Sequence, residues 1–128
     1  MKECLFCNIC ENNKDRFIAE NESCFAIYDS FPVNEGHALI IPKRHFASWF
    51  EANEKEVQDI ACLLKQCKAI IDEAYHPAGY NVGINIGEDA GQTIMHLHVH
   101  LIPRYKGDVE NPKGGVRRLK PQLVHYEG

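Results

Sequence analysis

The most informative part of the sequence runs from residue 92 to residue 103 and reads Gln92-Thr93-Ile94-Met95-His96-Leu97-His98-Val99-His100-Leu101-Ile102-Pro103. Polar and apolar residues alternate strictly from His96 to Leu101, which is the two-residue period of a β-strand. A strand here places the three histidines on one face, each ~6.6–6.8 Å from the next, and the apolar residues on the face that enters a core. Because histidine can act as nucleophile, proton carrier or metal ligand near neutral pH, we expect the functional site here.

Two kinds of chemistry fit three histidines on one strand face. All three could bind one metal ion, although neighbours on one strand must bend to converge. Alternatively they have separate roles: His98 attacks an electrophile, and a neighbouring imidazole donates to its oxygens. The second alternative also uses Gly91-Gln92-Thr93, whose backbone and hydroxyl donors suit an anion, whereas the first leaves those residues without a role.

The bulk properties indicate an ordinary globular protein. The chain has 128 residues, of which 45% are hydrophobic and 25% charged, and a formal net charge of −4. This length suits a single domain (residues 1–128), and the charge gives no sign of a nucleic-acid partner. No apolar run approaches the ~18 residues of a membrane helix, and the N-terminus lacks the apolar segment of a signal peptide. We therefore expect a cytoplasmic protein that does not associate with a membrane.

Six cysteines in a reducing compartment favour metal binding over disulfides. Residues 4–7 carry a Cys-x-x-Cys motif, which is half of a tetrahedral zinc site and needs two further ligands. Paired thiols without metal are the alternative, and Cys10 could replace one of the motif's ligands. Cys24, Cys62 and Cys67 lie among apolar residues and are predicted to be buried.

Short strands and one long helix account for the rest of the pattern. We predict strands at residues 17–20, 24–28, 36–42 and 80–87, and a loop at residues 11–16. The run 36–42 is apolar enough to be buried on both faces of a sheet. Asn53 and Glu56 form a capping-box pattern at the start of a helix, which ends before Pro77 and Gly79.

Several polar residues follow the predicted strands. Asp29 either caps its own turn or accepts hydrogen bonds from a ribose. His37 is either a core histidine or a partner of the site, and His45 is available as a ligand. A glycine-containing turn at residues 88–91 joins the last two strands as an antiparallel pair, which brings Asn85 and Thr93 towards the histidines.

These residues resemble the signature of the histidine-triad (HIT) family, in which His-x-His-x-His is followed by two hydrophobic residues. Asn85, the Gly91-Gln92-Thr93 turn, the Tyr28-Asp29 pair with Pro32, and the stretch from Gly36 to Lys43 also fit the family pattern. The similarity runs from Cys4 to Pro103 and is strongest to the Hint-like bacterial branch. Members of that branch are nucleotidyl hydrolases or transferases that act on 5′-phosphoramidates, dinucleoside polyphosphates and related mononucleotide derivatives.

The resemblance implies an α+β fold with an antiparallel five-stranded sheet, a long covering helix, and a homodimer in which two sheets become continuous. It also implies that His98 attacks the α-phosphorus of a purine nucleotide substrate and that water hydrolyses the nucleotidyl-histidine. The catalytic residues implied are His98, His100 and Thr93, with His37 in support. The substrate-binding residues implied are Asp29, Asn85, Gly91, Gln92, Thr93 and His100.

Some bacterial members also bind a structural zinc ion, and the matching positions here are Cys4, Cys7, His45 and His96. Two sulfurs and two imidazoles complete a closed tetrahedron, so the ion would be structural rather than catalytic. The C-terminal tail, residues 111–128, lies outside the signature. Its clustered positive charge suggests that Lys113, Arg117 and Arg118 approach the phosphates of a longer substrate, in their own or a partner subunit.

Two alternatives to a phosphoramidate hydrolase remain open. A hydrolase or phosphorylase specific for diadenosine polyphosphates differs in substrate and acceptor rather than in residues. A zinc-stabilised, nucleotide-sensing interaction module would have no turnover. The presence of His98 together with Asn85 and Thr93 favours an enzyme.

Overall fold

The computed structural model describes residues 3–120 and residue 125, so the tail predicted at 111–128 lies partly outside the described residues. Five strands form one sheet in the order β1-β2-β3-β5-β4, and all neighbours are antiparallel. The strands are β1 (Phe17–Glu20), β2 (Cys24–Tyr28), β3 (Ala38–Pro42), β4 (Gly79–Gly83) and β5 (Val99–Arg104). The α-helices among these residues are α1 (Leu5–Asn12) and α2 (Glu54–Tyr75). The predicted α+β fold with a five-stranded antiparallel sheet is confirmed.

Helix α2 begins at the predicted capping box. The Asn53 side chain accepts a hydrogen bond from the Glu56 backbone N–H at 2.8 Å, and the Glu56 carboxylate accepts one from the Asn53 N–H at 3.0 Å. This reciprocal pair satisfies two backbone donors that the first turn would otherwise leave unpaired. The helix ends at Tyr75, and His76 follows in the left-handed conformation with φ 53°.

The sheet separates two apolar layers. Helix α2 covers one face, where its Ile60, Leu63, Cys67 and Ile71 pack against Cys24, Ala26, Ala38, Ile40, Val99 and Leu101. On the other face, Phe6 and Ile9 of α1 pack against Phe25, Ile27, Leu39 and Ile41. Because side chains alternate along a strand, β5 sends Val99 and Leu101 towards α2 and His100 towards α1. Strand β3 is central and buried throughout, as its apolar run predicts.

The histidine strand is shorter than predicted. Strand β5 begins at Val99, and residues 92–98 reach it without sheet pairing. The Leu97 N–H donates instead to the Phe46 carbonyl at 2.7 Å. The expectation that three histidines share one strand face is therefore wrong, because only His100 lies in β5. His98 precedes the strand but lines the same cavity as His100, whereas His96 lies in a bend and enters a separate cluster.

Three smaller expectations also need correction. Strand β4 ends at Gly83, so Asn85 lies in the following loop. Residues 11–16, predicted to be a loop, include the end of α1 and a short 3-10 turn at Lys14–Arg16. Cys62 is exposed, since it lies on the solvent side of α2, whereas Cys24 and Cys67 are buried as predicted.

Gly36 lets the end of α2 approach the backbone directly before His37. Its φ is +88°, and a Cβ atom there would lie 2.9 Å from Tyr75 Cδ2 and 3.2 Å from Ile71 Cγ2. A side chain at this position would force apart α2 and the segment that carries His37. Among the described residues, no helix combines the length and the apolarity needed to cross a bilayer.

Candidate active site and metal cluster

A cavity of about 330 Å³ opens between α1 and the sheet face that carries His100. This volume falls in the range of small-molecule sites, roughly 300–1,000 Å³. Most of the residues predicted for catalysis and substrate binding line it: Asp29, Asn85, Gly91, Thr93, His98 and His100. Residues far apart in the sequence are therefore brought to one site.

His98 is held in the tautomer of a nucleophile. Its Nδ1 lies 2.9 Å from the backbone carbonyl oxygen of His96. A carbonyl only accepts, so Nδ1 carries the ring hydrogen and Nε2 keeps its lone pair. The rings of Phe6 and His100 lie 5.0 Å and 5.1 Å from the His98 ring, centroid to centroid, and restrict its rotation.

A chain of hydrogen bonds gives His100 the opposite tautomer. The Val33 N–H donates to His37 Nδ1 at 3.0 Å, so the ring hydrogen of His37 is on Nε2. That N–H donates to His100 Nδ1 at 3.0 Å, which leaves an N–H donor at Nε2 of His100. His37 is buried, and it takes the partner role rather than that of an isolated core histidine.

Burial keeps both of these imidazoles neutral at pH 7. It lowers the pKa of His37, and it lowers that of His100 to about 4, where the nearby His98 and His37 add to the effect. His100 therefore offers a neutral N–H donor to the cavity. A neutral donor does not disfavour formation of a cationic ring on the neighbouring His98.

Asp29 serves the turn and the cavity together. One carboxylate oxygen, Oδ1, accepts the Phe31 backbone N–H at 2.8 Å, as the capping alternative predicts. The other, Oδ2, lies 3.5 Å from His37 Nε2. Asp29, His37 and His100 are also close enough to form a metal-ligand group, but their hydrogen bonds already use the lone pairs of His37 Nδ1 and His100 Nδ1.

The loop between β4 and β5 forms a further wall of the cavity. Asn85, Gly91 and Thr93 line it, and Gly91 adopts φ 97° at the end of a 3-10 turn. Gln92 does not join them, because its amide is buried and holds the loop. It accepts from the Gly87 N–H at 2.9 Å and donates to the carbonyls of Ala47 and Ile94 at 2.9 Å and 3.1 Å.

A second cluster brings together the four predicted metal ligands Cys4, Cys7, His45 and His96, whose ligand atoms all lie within 4.8 Å of one another. His96 Nδ1 lies 3.1 Å from His45 Nδ1, 3.3 Å from Cys4 Sγ and 3.5 Å from Cys7 Sγ. Cys7 Sγ lies 3.5 Å from His45 Nδ1. Cys10 is outside the cluster.

This donor set fits a tetrahedral metal ion. With Zn–N of about 2.05 Å and Zn–S of about 2.3 Å, a tetrahedron places two nitrogens about 3.3 Å apart and a nitrogen and a sulfur about 3.6 Å apart. The measured separations of 3.1 Å, 3.3 Å and 3.5 Å are close to these values. His96 Nε2 donates to the Pro42 carbonyl at 2.8 Å, so the lone pair is on Nδ1, the atom that faces the cluster.

Several residues of the cavity were not singled out from the sequence. Leu5, Phe6 and Ile9 of α1 form an apolar wall, and Arg16, Ser30 and Phe31 also line the cavity. The apolar spacing of residues 5, 6 and 9 was the available signal for α1, together with a cysteine whose sulfur caps the helix. An eight-residue helix is too short for that periodicity to be decisive.

Comparison with known proteins agrees with this geometry. The model of the HIT domain matches residues 11–107. The solved structure of a hypothetical histidine triad nucleotide-binding protein from Sulfolobus tokodaii is 41% identical, with a TM-score of 0.74, over 81% of this chain and 70% of that chain. A Zn-bound histidine triad family protein from Mycobacterium smegmatis is 33% identical, with a TM-score of 0.76, over 84% and 78% of the two chains.

Two curated relatives carry names of enzymes. An AP-4-A phosphorylase of Mycobacterium tuberculosis is 30% identical over 92 residues, which are 71% of this chain and 47% of that protein. The adenylylsulfatase HINT3 of Arabidopsis thaliana is 33% identical over 122 residues, 94% of this chain and 62% of that protein. With the domain match over residues 11–107, these similarities show that the chain belongs to the HIT domain family.

Proposed function

We propose that this protein is a nucleotidyl hydrolase or transferase that cleaves the α-phosphate bond of nucleoside 5′-phosphoramidates through a covalent intermediate on His98. The observation that carries the proposal is the hydrogen bond from His98 Nδ1 to the His96 carbonyl, because it leaves the Nε2 lone pair on a ring that lines a cavity of ligand size. The names of two relatives, an AP-4-A phosphorylase and an adenylylsulfatase, support a nucleotide substrate.

In the first step, the Nε2 lone pair attacks the α-phosphorus and a phosphorus–nitrogen bond forms to the ring. The bond between phosphorus and the amine nitrogen breaks, and the departing amine takes up a proton from solvent. The ring gains positive charge, which the His96 carbonyl stabilises through its hydrogen bond with Nδ1–H. The Nε2–H of His100 and the side chains of Asn85 and Thr93 donate to the phosphoryl oxygens.

In the second step, water attacks the phosphorus of the nucleotidyl-histidine. The bond to Nε2 breaks, a proton passes to solvent, and the nucleoside monophosphate leaves. Because His100 is neutral, it donates in both steps without a change of charge. Asp29 accepts hydrogen bonds from the ribose through the oxygen that the turn does not use, and His37 keeps His100 in the donor tautomer.

We further propose that Cys4, Cys7, His45 and His96 hold a structural zinc ion. The support is the tetrahedral spacing of their ligand atoms and the similarity to a Zn-bound histidine triad protein. Four protein ligands leave no open position, so zinc supplies stability and no chemistry. It would join α1, which forms a wall of the cavity, to the segment that carries His98.

The similarity to an AP-4-A phosphorylase favours one competing activity, cleavage of diadenosine polyphosphates. The test is product analysis by chromatography after the protein is offered adenosine 5′-phosphoramidate and diadenosine tetraphosphate side by side, with and without phosphate. Faster release of AMP from the phosphoramidate is expected. Preferential cleavage of the dinucleotide would move the assignment to polyphosphate chemistry, and phosphate-dependent products would identify a phosphorylase. No turnover of either would favour the interaction module.

A further inference from the structure

We propose that Arg16 reads the base of the bound nucleotide and gives the cavity a preference for 6-oxopurines, such as guanine, over adenine. The inference deepens the proposed function and rests on it, because it takes the substrate to be a nucleotide bound with its α-phosphorus at His98.

The floor of the cavity is a row of cross-strand neighbours. The sheet register pairs His100 with Leu39, Leu39 with Ile27, and Ile27 with Phe17. The first three of these residues line the cavity on β5, β3 and β2 and span about 10 Å, with strands about 4.8 Å apart, and Phe17 continues the row on β1 beyond the lining. Arg16 directly precedes Phe17 and lines the cavity. Arg16 therefore enters the cavity from the β1 side of the sheet, where its guanidinium bonds to Ser30, whereas His100 enters it from β5.

The parts of a nucleotide match the order of side chains along this row. A phosphorus at His98 leaves the ribose beside Asp29. The base then falls between the apolar side chains of Leu5, Phe6 and Ile9 on α1 and those of Ile27 and Leu39 on the sheet. These walls suit the faces of a planar ring and offer its edge nothing to bind. We place the hydrogen-bonding edge of the base at Arg16, the charged side chain that lines the cavity beside these walls.

The Arg16 guanidinium is held in place but not neutralised. Its Nη2 donates to Ser30 Oγ at 3.0 Å and lies 3.5 Å from the Tyr28 carbonyl oxygen. Arg44 and Arg104 each form an ion pair with a carboxylate, whereas among residues 3–120 and 125 no carboxylate lies within 4.0 Å of the Arg16 guanidinium nitrogens. Within the same residues, Nε and Nη1 of Arg16 have no hydrogen-bond acceptor. A half-buried, positioned cation with unused donors is suited to a ligand.

The chemistry of the guanidinium determines which base fits. Arginine offers donors only, in a rigid fork. Guanine presents two acceptors side by side, O6 and N7, and pairs with the fork through two hydrogen bonds, as does hypoxanthine. Adenine presents N7 beside an amino group that is itself a donor, so it can satisfy only one arm of the fork. Phosphate also binds arginine, but the phosphate is proposed to lie at His98 and His100, on the β5 side of Leu39 and Ile27, whereas Arg16 comes from the β1 side.

The test measures hydrolysis of guanosine and adenosine 5′-phosphoramidates, and equilibrium binding of GMP, IMP and AMP by calorimetry. Wild-type protein is compared with Arg16→Met, which keeps the bulk without donors, and with Arg16→Lys, which keeps the charge without the fork. Lys14→Ala is the matched control, because Lys14 is an exposed cation on the same 3-10 turn and does not line the cavity.

For the wild type we expect GMP and IMP to bind about 10-fold more tightly than AMP, with the same ratio in kcat/KM. Arg16→Met should remove this preference by weakening GMP and IMP alone, Arg16→Lys should retain a small part of it, and Lys14→Ala should leave it intact. Equal binding of GMP and AMP by a wild-type protein that turns over both would overturn the inference and leave the proposed function standing. A preference that survives in Arg16→Met would also overturn it. Absence of both binding and turnover for every nucleotide would refute the proposed function itself.

Discussion

Backbone carbonyls determine which ring nitrogen His96 and His98 present. The Pro42 carbonyl accepts the Nε2–H of His96, so Nδ1 of that ring faces the sulfurs of Cys4 and Cys7. The His96 carbonyl takes the Nδ1–H of His98, so Nε2 of that ring is the basic atom. Two histidines that are neighbours in the motif therefore use opposite nitrogens. These opposite tautomers fit the two proposed roles, in which His96 ligates zinc and His98 attacks phosphorus.

The depressed pKa of His100 predicts that acid destabilises the fold. The unfolded imidazole takes up a proton near pH 6.5, whereas the folded one does so only at about 4, mainly because it is buried. Its contribution to the free energy of unfolding is complete above about pH 6.5 and is lost as the pH falls to about 4. One proton gives a slope of up to about 1.4 kcal/mol per pH unit in this window.

The measurement is urea unfolding at a series of pH values from 4 to 7 for the wild type and for His100→Gln. Glutamine does not titrate, and its amide oxygen can still accept the His37 N–H. Since both proteins keep the same metal ligands, the difference between their slopes isolates His100. We expect a shallower slope for the variant, and identical slopes would show that His100 does not titrate in this way.

At the level of elements, the parts of the fold that sequence could predict are those with a long pattern or specific end chemistry. The apolar run of β3 predicted the central strand, and Asn53 with Glu56 predicted the first turn of α2. The start of β5 was not predictable from alternation, because polar and apolar residues still alternate through His96 and Leu97. At Leu97 the backbone N–H donates to the carbonyl of Phe46, which lies in a loop, instead of to a neighbouring strand.

The candidate site also contains residues that the sequence could predict and residues that it could not. Its histidines stood out from the residues alone, but the roles of Asp29, Asn85 and His45 depended on resemblance, since a turn, a loop and a strand end explain them equally well. Arg16 and the wall formed by α1 were not predictable. They become part of the cavity only through sheet register and through contacts between segments distant in sequence.

Helix α1 should depend on the metal cluster. Cys4 caps the helix and Cys7 lies in its first turn, so loss of the ion would release a wall of the cavity. For Cys7→Ser we expect the bound zinc to fall well below one ion per chain, Tm to fall by about 5 °C or more, and AMP to bind more weakly. Elemental analysis, thermal unfolding and calorimetry measure these effects.

Cys10→Ser is the matched control for this experiment, because Cys10 lies on the same helix but outside the cluster. It should keep its zinc, its Tm and its affinity for AMP. A Cys7→Ser protein that retained zinc and wild-type stability would contradict the coupling of α1 to the metal.

At the scale of the whole molecule, we predict a homodimer built on an outer strand of the sheet. Strands β1 and β4 lie at the two edges, and unpaired edges can join to make a continuous sheet. β4 carries Val82, which is 46% exposed. Sedimentation should give twice the 14.6 kDa of one chain, and Val82→Lys should shift the protein towards the monomer. Phe50→Lys, on the 3-10 turn Trp49–Glu51 and more exposed than Val82, should not. A monomeric wild type would contradict the prediction.

The basic tail gives a second prediction at this scale. Arg118 lines a cavity with Asn34, Asn81 and Arg104, which is separate from the histidine cavity of its own chain. If the tail serves the partner's site, Lys113→Gln/Arg117→Gln/Arg118→Gln should lower kcat/KM for diadenosine tetraphosphate several-fold, more so at low salt, and leave the phosphoramidate unaffected. Neutralising Lys55, Lys65 and Lys68 on α2 is the control. Unchanged rates on the tetraphosphate would remove this role.

The central claim is that His98 forms a covalent bond to the nucleotide. The most direct measurement is rapid acid-free quenching of the protein during turnover of adenosine 5′-phosphoramidate, followed by intact and peptide mass spectrometry. For the wild type we predict an added mass of one adenylyl group on His98. For His98→Ala we predict that no adduct forms and that turnover falls by roughly 10³-fold or more, while AMP binding is retained. An adduct on another residue, or turnover by His98→Ala at the wild-type rate, would contradict the account.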